Sequence, residues 1–279
     1  MIRVILQGRT GNNLFQYAAG RALANKLGTD LILDGSWADA CHARQFAHLQ
    51  RLPIQARYQR RFTVTKRCLR KAFNLSPASL HHGPVFRDES PAPDPAFHHL
   101  LDHCLLIGFF QSPVYFHAIE PELRRELDLT DLSLPRESLN FEENLRNQTT
   151  VSLHVRRGDY VHLTSTQCLA PDYHARAIQH FRDRDSKVRF CVFSDDIDWC
   201  RSQFTGPDFL FCDLPASHSD PLHDLRLMTA CHHHVIVNSS YSWWAAWLNP
   251  SADKVVVAPS MWMTGMPSTD LMLHNWTTM

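Results

Sequence analysis

Residues 1–27 read MIRVILQGRTGNNLFQYAAGRALANKL, and their order decides the fold class. The run Ile2-Arg3-Val4-Ile5-Leu6 is β-branched, apolar and of strand length. Gln7-Gly8-Arg9-Thr10-Gly11-Asn12-Asn13 is a turn, and Leu14, Ala18, Ala22 and Leu27 then mark one face of a helix. Leu31-Ile32-Leu33 supplies the next strand. Strand, glycine-bearing turn, helix and strand make a βαβ opening, which calls for a parallel sheet.

Outward from there the pattern loosens. Residues 37–104 hold a basic run, Arg57, Arg60, Arg61, Lys66, Arg67, Arg70 and Lys71, and then a proline-rich turn segment at Pro91, Pro93 and Pro95. Periodicity returns at Leu105-Leu106-Ile107, and Pro121-Glu122 opens a short helix. Residues 131–148 are polar and broken by Pro135, so they are the expected crossover between domains 1–135 and 136–279. The second domain alternates strand and helix: Val151–Val155, a helix after Asp172 with Tyr173, Ala177, Ile178 and Phe181 on one face, then Val188–Phe193. Asp196 is placed to cap a helix, Leu225–Cys231 reads as helix and Val235–Val237 as strand. Ser240 is placed to cap a helix through Trp243, Trp244 and Trp247, a cluster expected to be core, and Val255–Val257 is a last buried strand.

Composition narrows the function classes. Lys+Arg and Asp+Glu both number 28, so the chain lacks the positive field that duplex nucleic acid requires. No basic leader with a cleavage site is read at the start, and no apolar run approaches ~18 residues. A cytoplasmic protein is expected, at most peripheral to the inner face of a membrane. The eight cysteines form no C-x-x-C pair and read as reduced core thiols. His232-His233-His234 tempts a metal reading, but neighbours on a strand alternate faces and cannot ligate one ion, so no metal is expected.

Four stretches carry chemistry. The turn at Gly8–Asn13 suits either a tight βα connection or close approach of a ligand to helix N–H groups. His154-Val155-Arg156-Arg157-Gly158-Asp159-Tyr160 ends a strand, where open α/β sheets take ligands and where a guanidinium fork matches phosphate oxygens. Two adjacent arginines face different ways, so one is expected at phosphate and the other in a structural pair. Phe193-Ser194-Asp195-Asp196 reads as a helix cap before it reads as a metal site. Asp224 to Trp247 joins an acidic residue to a run of hydroxyls, Ser239, Ser240 and Tyr241, at a strand-to-helix junction.

Together GNNLFQYAAGRALA (11–24), GFFQSPVYF (108–116), SLHVRRGDY (152–160), FSDDIDWC (193–200) and residues 224–259 resemble the bacterial α-1,2-fucosyltransferases of glycosyltransferase family 11. The turn departs from that family's usual Gly-Gly-Leu-Gly-Asn-Gln. The resemblance implies a GT-B fold, two Rossmann-like domains facing a cleft, the first on the acceptor side and the second binding GDP-fucose. It implies inverting transfer of fucose from GDP-fucose, the donor substrate, to a galactose-terminated oligosaccharide or glycolipid, with no further cofactor. Arg156 would hold the β-phosphate with His154 and Arg157 in support. Asp224 would accept from the guanine edge, Ser239, Ser240 and Tyr241 would line the phosphate or base pocket, and Asn12 would reach the donor. The general base is open between Asp159 and His154. Other readings are a different linkage, such as α-1,6, and a non-catalytic nucleotide-sugar-binding protein. The basic run reads as a solvated helix face or as weak contact with anionic lipid.

Overall fold

Strands that are apolar along their whole length are stable only between two layers of covering structure, and both halves of the chain supply such strands. The computed structural model describes residues 1–36, 46–59, 76–90, 92–158, 169 and 172–279. Contacts divide them into two units, Met1–Asp128 and Leu129–Met279. The basic run falls outside the described residues except for Arg57, which pairs with Asp30 at 3.1 Å.

The first unit is built on β1 (Ile2–Ile5), β2 (Leu31–Asp34), β3 (Arg57–Gln59), β4 (Val85–Asp88) and β5 (Leu105–Gly108), all parallel in the order β3-β2-β1-β5-β4. Helix α1 (Thr10–Leu27) is buried nearly all round, which is why a single apolar stripe was only part of its signal. A Cβ on Gly20 would sit 2.5 Å from Val4 Cγ2, so only glycine lets α1 lie this close to β1. After the one-turn helix α2 (Phe46–Leu49), α3 (Glu120–Glu126) closes the unit, and its Glu126 accepts from Arg21 of α1 at 2.9 Å.

The second unit holds β6 (Thr150–Val155), β7 (Arg189–Ser194), β8 (Phe209–Phe211), β9 (His233–Val235), β10 (Val256–Ala258) and β13 (Thr277–Thr278), with a small antiparallel pair, β11 (Met261–Met263) and β12 (Met266–Pro267), beside them. The large sheet runs β13-β10-β9-β6-β7-β8 and is parallel throughout. Counted within the sheet, that is the 3-2-1-4-5-6 order of the doubly wound dinucleotide fold. Val151, Leu153 and Val155 pack with Tyr173, Ala177, Ile178 and Phe181 of α5 (Tyr173–Arg182), the face expected from periodicity. Trp243, Trp244 and Trp247 of α8 (Ser240–Leu248) are fully buried core, and the Trp243 indole N–H donates to Leu271 O at 2.7 Å.

The three histidines serve three separate neighbours. His232 Nδ1 accepts from Thr150 N at 3.3 Å, and His233 Nδ1 accepts from Val255 N at 3.1 Å. Asn249 Nδ2 donates to His234 Nε2 at 2.9 Å, so the His234 proton sits on Nδ1 and goes to Ser152 Oγ at 2.7 Å.

Residues 131–148 are not a linker. Arg136–Arg146 form α4, which packs on α7 (Pro221–Ala230). The Arg226 guanidinium of α7, 12% exposed, meets Glu142 of α4 at 2.8 Å and donates to the Thr130 carbonyl at 2.8 Å, which fastens residues 129–132 within the second unit. Burial would raise the Glu142 carboxyl, but its bonds to Arg226 and Arg146 outweigh that and hold it below its ordinary value. Arg226→Ala is therefore expected to cost about 3 kcal/mol, because it leaves the buried Glu142 carboxylate with only the more exposed Arg146 at 2.8 Å. The stabilisation is present above the unfolded carboxyl's pKa of about 4.3 and fades as pH falls toward the lower folded value. Urea titrations of both proteins at pH 7 measure it, and a loss under 1 kcal/mol would remove this tie from the account.

Candidate functional site

In the second sheet the chain leaves β6 for β7 on one side and returns to β9 on the other. Ligands of open α/β sheets lie beyond the carboxyl ends of strands at such a reversal. Three loops meet that layer: Arg156–Gly158 after β6, Asp195–Asp196 after β7 and Ile236–Ser239 after β9. Helices α6 (Ile197–Gln203), α7 and α8 all begin there, so their N–H groups and positive dipole ends face the same layer.

The two arginines separate as alternation requires. Arg156 Nη1 meets Asp195 Oδ2 at 2.6 Å, with the two side chains 15% and 26% exposed. Arg157 turns the other way. Its Nε donates to Asp196 Oδ2 at 3.0 Å, and its guanidinium lies 3.8 Å from the centre of the Trp199 ring. Asp196 also caps α6 through Oδ1, which accepts from Trp199 N at 3.3 Å. Asp195 Oδ1 accepts from Arg157 N at 2.9 Å, and a Cβ on Gly158 would come within 2.4 Å of Asp195 Oδ2. Glycine at 158 is what lets the carboxylate tuck under the strand end. Asp195 and Asp196 thus each serve an arginine, and among the described residues no group of three His, Cys, Asp or Glu side chains is placed to hold a metal.

His154 is buried, with its ring 6.0 Å from that of Tyr241 and its carbonyl accepting from His174 Nε2 at 3.3 Å. Its Nδ1 has no hydrogen-bond partner among the described residues. Burial first, then the charges of Arg156 and His174, lowers His154 to about 3. The Tyr241 hydroxyl donates to Pro221 O, joining the first turn of α8 to the first turn of α7; burial first, and then Asp224, raises that phenol far above its ordinary value. Ser239 stands at the N-cap of α8 and Ser240 opens the helix.

The helix read at Leu225–Cys231 begins earlier, so Asp224 lies inside it rather than before it: Asp220 caps α7, accepting from Leu222 N at 3.0 Å, and Asp224 lies one turn in. His223 Nδ1 donates to Asp224 Oδ1 at 2.8 Å, and His223 Nε2 lies 2.8 Å from Ser138 Oγ. His154, Arg156, Arg157, Tyr241, Ser239, Ser240 and Asp224 therefore all belong to the layer at the carboxyl ends of β6 to β9. Asn12 belongs to the first unit, in the first turn of α1, and accepts from Gln111 Nε2 at 2.8 Å. Beside it Asn13 is buried and donates to Gln7 O at 2.8 Å, a bond that shapes the turn. Asp159 lies outside the described residues. Sequence reasoning did not find Asp195 as the partner of Arg156, Trp199 as the platform of Arg157, or His223 and Ser138. The nearest signal was the pair of aspartates closing β7.

Two Rossmann-like units in one chain define the GT-B class of glycosyltransferase. The chain shares its fold with ADP-heptose LPS heptosyltransferase II of Escherichia coli, with a TM-score of 0.52 at 12% identity over 100% of this chain and 89% of that one. The sequence model of glycosyl transferase family 11 matches residues 99–279, and the chain belongs to that family. It is 29% identical to the O-antigen biosynthesis glycosyltransferase WbnK of Escherichia coli over 97% of this chain and 98% of that protein. It is 28% identical to an alpha-1,2-colitosyltransferase of Escherichia coli over 92% of this chain and 90% of that protein. A galactoside 2-alpha-L-fucosyltransferase SEC1 of Bos taurus is 32% identical over 53% of this chain and 42% of its own length.

Burial of neutral histidines in the second unit has a pH signature. His154 and His234 are lowered to about 3 by burial, and His174 is lowered by the same cause. In the unfolded chain each takes up a proton near pH 6.5. Unfolding between those values binds protons, so stability is lost on acidification, by up to about 1.4 kcal/mol per pH unit per histidine. Urea unfolding followed by tryptophan fluorescence should fall steeply from pH 6.5 to 4.5, and His154→Phe should flatten the slope by one histidine's share. A stability flat across that range would contradict it.

Proposed function

We propose that the chain transfers L-fucose from GDP-fucose, with inversion at the anomeric carbon, to the 2-hydroxyl of a galactoside acceptor in surface glycan synthesis. The observation that carries this reading is Arg156, held by Asp195 at 2.6 Å on the strand end where the sheet order reverses. When the bond from fucose to GDP breaks, negative charge grows on the β-phosphate bridge oxygen. A guanidinium already fixed there needs no reorganisation and stabilises the transition state over the ground state. Arg157, tied to Asp196 and Trp199, keeps the loop in shape. The N–H groups opening α8 at Ser240 and Tyr241 suit the pyrophosphate. Asp224, at the first turn of α7, suits the guanine edge, whose two neighbouring N–H donors match a carboxylate. Support for fucose comes from the bovine relative's name and from the resemblance in the sequence.

Of the two base candidates, His154 is the poorer. A pKa near 3 makes it a weak acceptor for a hydroxyl proton, since a general base works best near the operating pH. We assign His154 to hydrogen bonding as a neutral imidazole and Asp159 to the acceptor hydroxyl. A second donor reading has a specific observation behind it: colitose is fucose without its 3-hydroxyl, and the colitosyltransferase matches nearly the whole chain.

Arg156→Ala is expected to keep its fold by circular dichroism and to lose about 10²–10³ in kcat. Asp159→Asn should lose about 10²–10⁴ in kcat with unchanged GDP affinity. Activity should survive EDTA, because the guanidinium supplies the charge at the leaving group. Retained turnover in Arg156→Ala, or complete loss in chelator restored by Mg²⁺ or Mn²⁺, would each overturn this reading of the site.

A further inference from the structure

Within the described residues, the donors to Asp224 both meet Oδ1. His223 Nδ1 lies at 2.8 Å and Cys212 Sγ at 3.8 Å. Burial first, then the charge of Asp224, raises the Cys212 thiol above its ordinary value, so it stays an S–H donor. The Asp224 side chain is 18% exposed, which leaves its other oxygen able to accept from a ligand. A carboxylate turns easily about its terminal torsion, where the energy wells are broad. Accepting two neighbouring N–H groups needs both oxygens in the plane of the base edge. Pinning Oδ1 from the protein side fixes that plane.

His223 is itself held. Its side chain is 1% exposed, on a helix whose Leu222, Leu225, Leu227 and Met228 are also buried. Because a carboxylate only accepts, the proton sits on Nδ1, and Nε2 then accepts from the Ser138 hydroxyl at 2.8 Å. Ser138, on α4, is fully buried. Connectivity of Ser138, His223 and Asp224 is that of a nucleophilic triad, but a serine with no access to substrate attacks nothing. A histidine in a leucine-rich helix face is tolerable only when both nitrogens are satisfied. Here Nδ1 is satisfied by the carboxylate at 2.8 Å, with Ser217 Oγ farther off at 3.5 Å, and Nε2 by Ser138.

We propose that His223, oriented by Ser138, is a positioning residue that sets the plane of the Asp224 carboxylate and so lets the nucleobase pocket select guanine over bases that lack its exocyclic amino group. This rests on the reading of Asp224 as the guanine partner. Guanine offers N1–H and N2–H side by side, and hypoxanthine offers only N1–H. A carboxylate held in plane takes both bonds, and one free to turn keeps a single bond to either base.

Calorimetric titration of GDP and of inosine diphosphate into the full-length chain separates the cases. The wild type should favour GDP by about tenfold or more, the worth of one charge-assisted hydrogen bond. His223→Leu should lose about tenfold in GDP affinity and little for inosine diphosphate, so that the preference collapses. His223→Asn, whose amide N–H can take the place of Nδ1–H, should recover most of the preference. Ser138→Ala should lower it part of the way. A folded His223→Leu with the wild-type preference overturns the proposal; if that variant does not fold, an unchanged preference in Ser138→Ala overturns it instead. Asp224→Asn distinguishes the two failures. If it abolishes the preference while the His223 and Ser138 variants keep it, only the positioning role falls. If it leaves GDP binding and the preference intact, the guanine reading of Asp224 falls, and the proposal with it.

Discussion

The register between β6 and β7 is the constraint on which the site depends. The strands pair in parallel from Thr150 opposite Arg189 to Val155 opposite Ser194. The next residues on β6 are then Arg156 and Arg157, and the next on β7 are Asp195 and Asp196. Two cations at the end of a strand buried along its whole length would be costly alone. In this register each meets its own carboxylate. A slip of one residue would send every side chain of β6 to the opposite face and separate the pairs. The hydrophobic pattern that fixes the core therefore also fixes the geometry of the charged layer.

That layer combines rigidity with charge. Asp195 is itself anchored by the Arg157 backbone N–H, and Asp196 both holds Arg157 and caps α6. One short loop thus serves as cap, ion pair and orienting device. Further along, Tyr241 ties α8 to α7, while Arg226 and Glu142 tie α7 to α4. The strand ends are braced from several sides. Such bracing is what a preorganised electrostatic site requires, because its donors must already point at the charge that develops during reaction.

Much of this was legible in the sequence, for identifiable reasons. Strands such as Val151–Val155 announce themselves by apolar runs, and α5 by the spacing of Tyr173, Ala177, Ile178 and Phe181. The arginine pair, the Asp196 cap and the tryptophan core followed from alternation and local chemistry. What escaped depends on pairings distant in sequence. Nothing near Arg156 names Asp195, 39 positions away, as its partner, and nothing near His223 names Ser138. Helix α4 was read as a crossover because Pro135 and a polar surface obscured a helix held by buried ions. The start of α7 was placed late because Pro221 and Asp220, a cap followed by a first-turn proline, went unread.

Transfer of fucose to the 2-position of a galactoside is the activity proposed for this family 11 chain. Incubation with GDP-fucose and lactose, followed by NMR of the purified product, tests it most directly. The expected product shows a single new α-fucosyl anomeric signal with a through-bond correlation to C2 of galactose. A product linked at any other position, or an intact GDP-fucose pool beside turnover of the corresponding colitose donor, would contradict it.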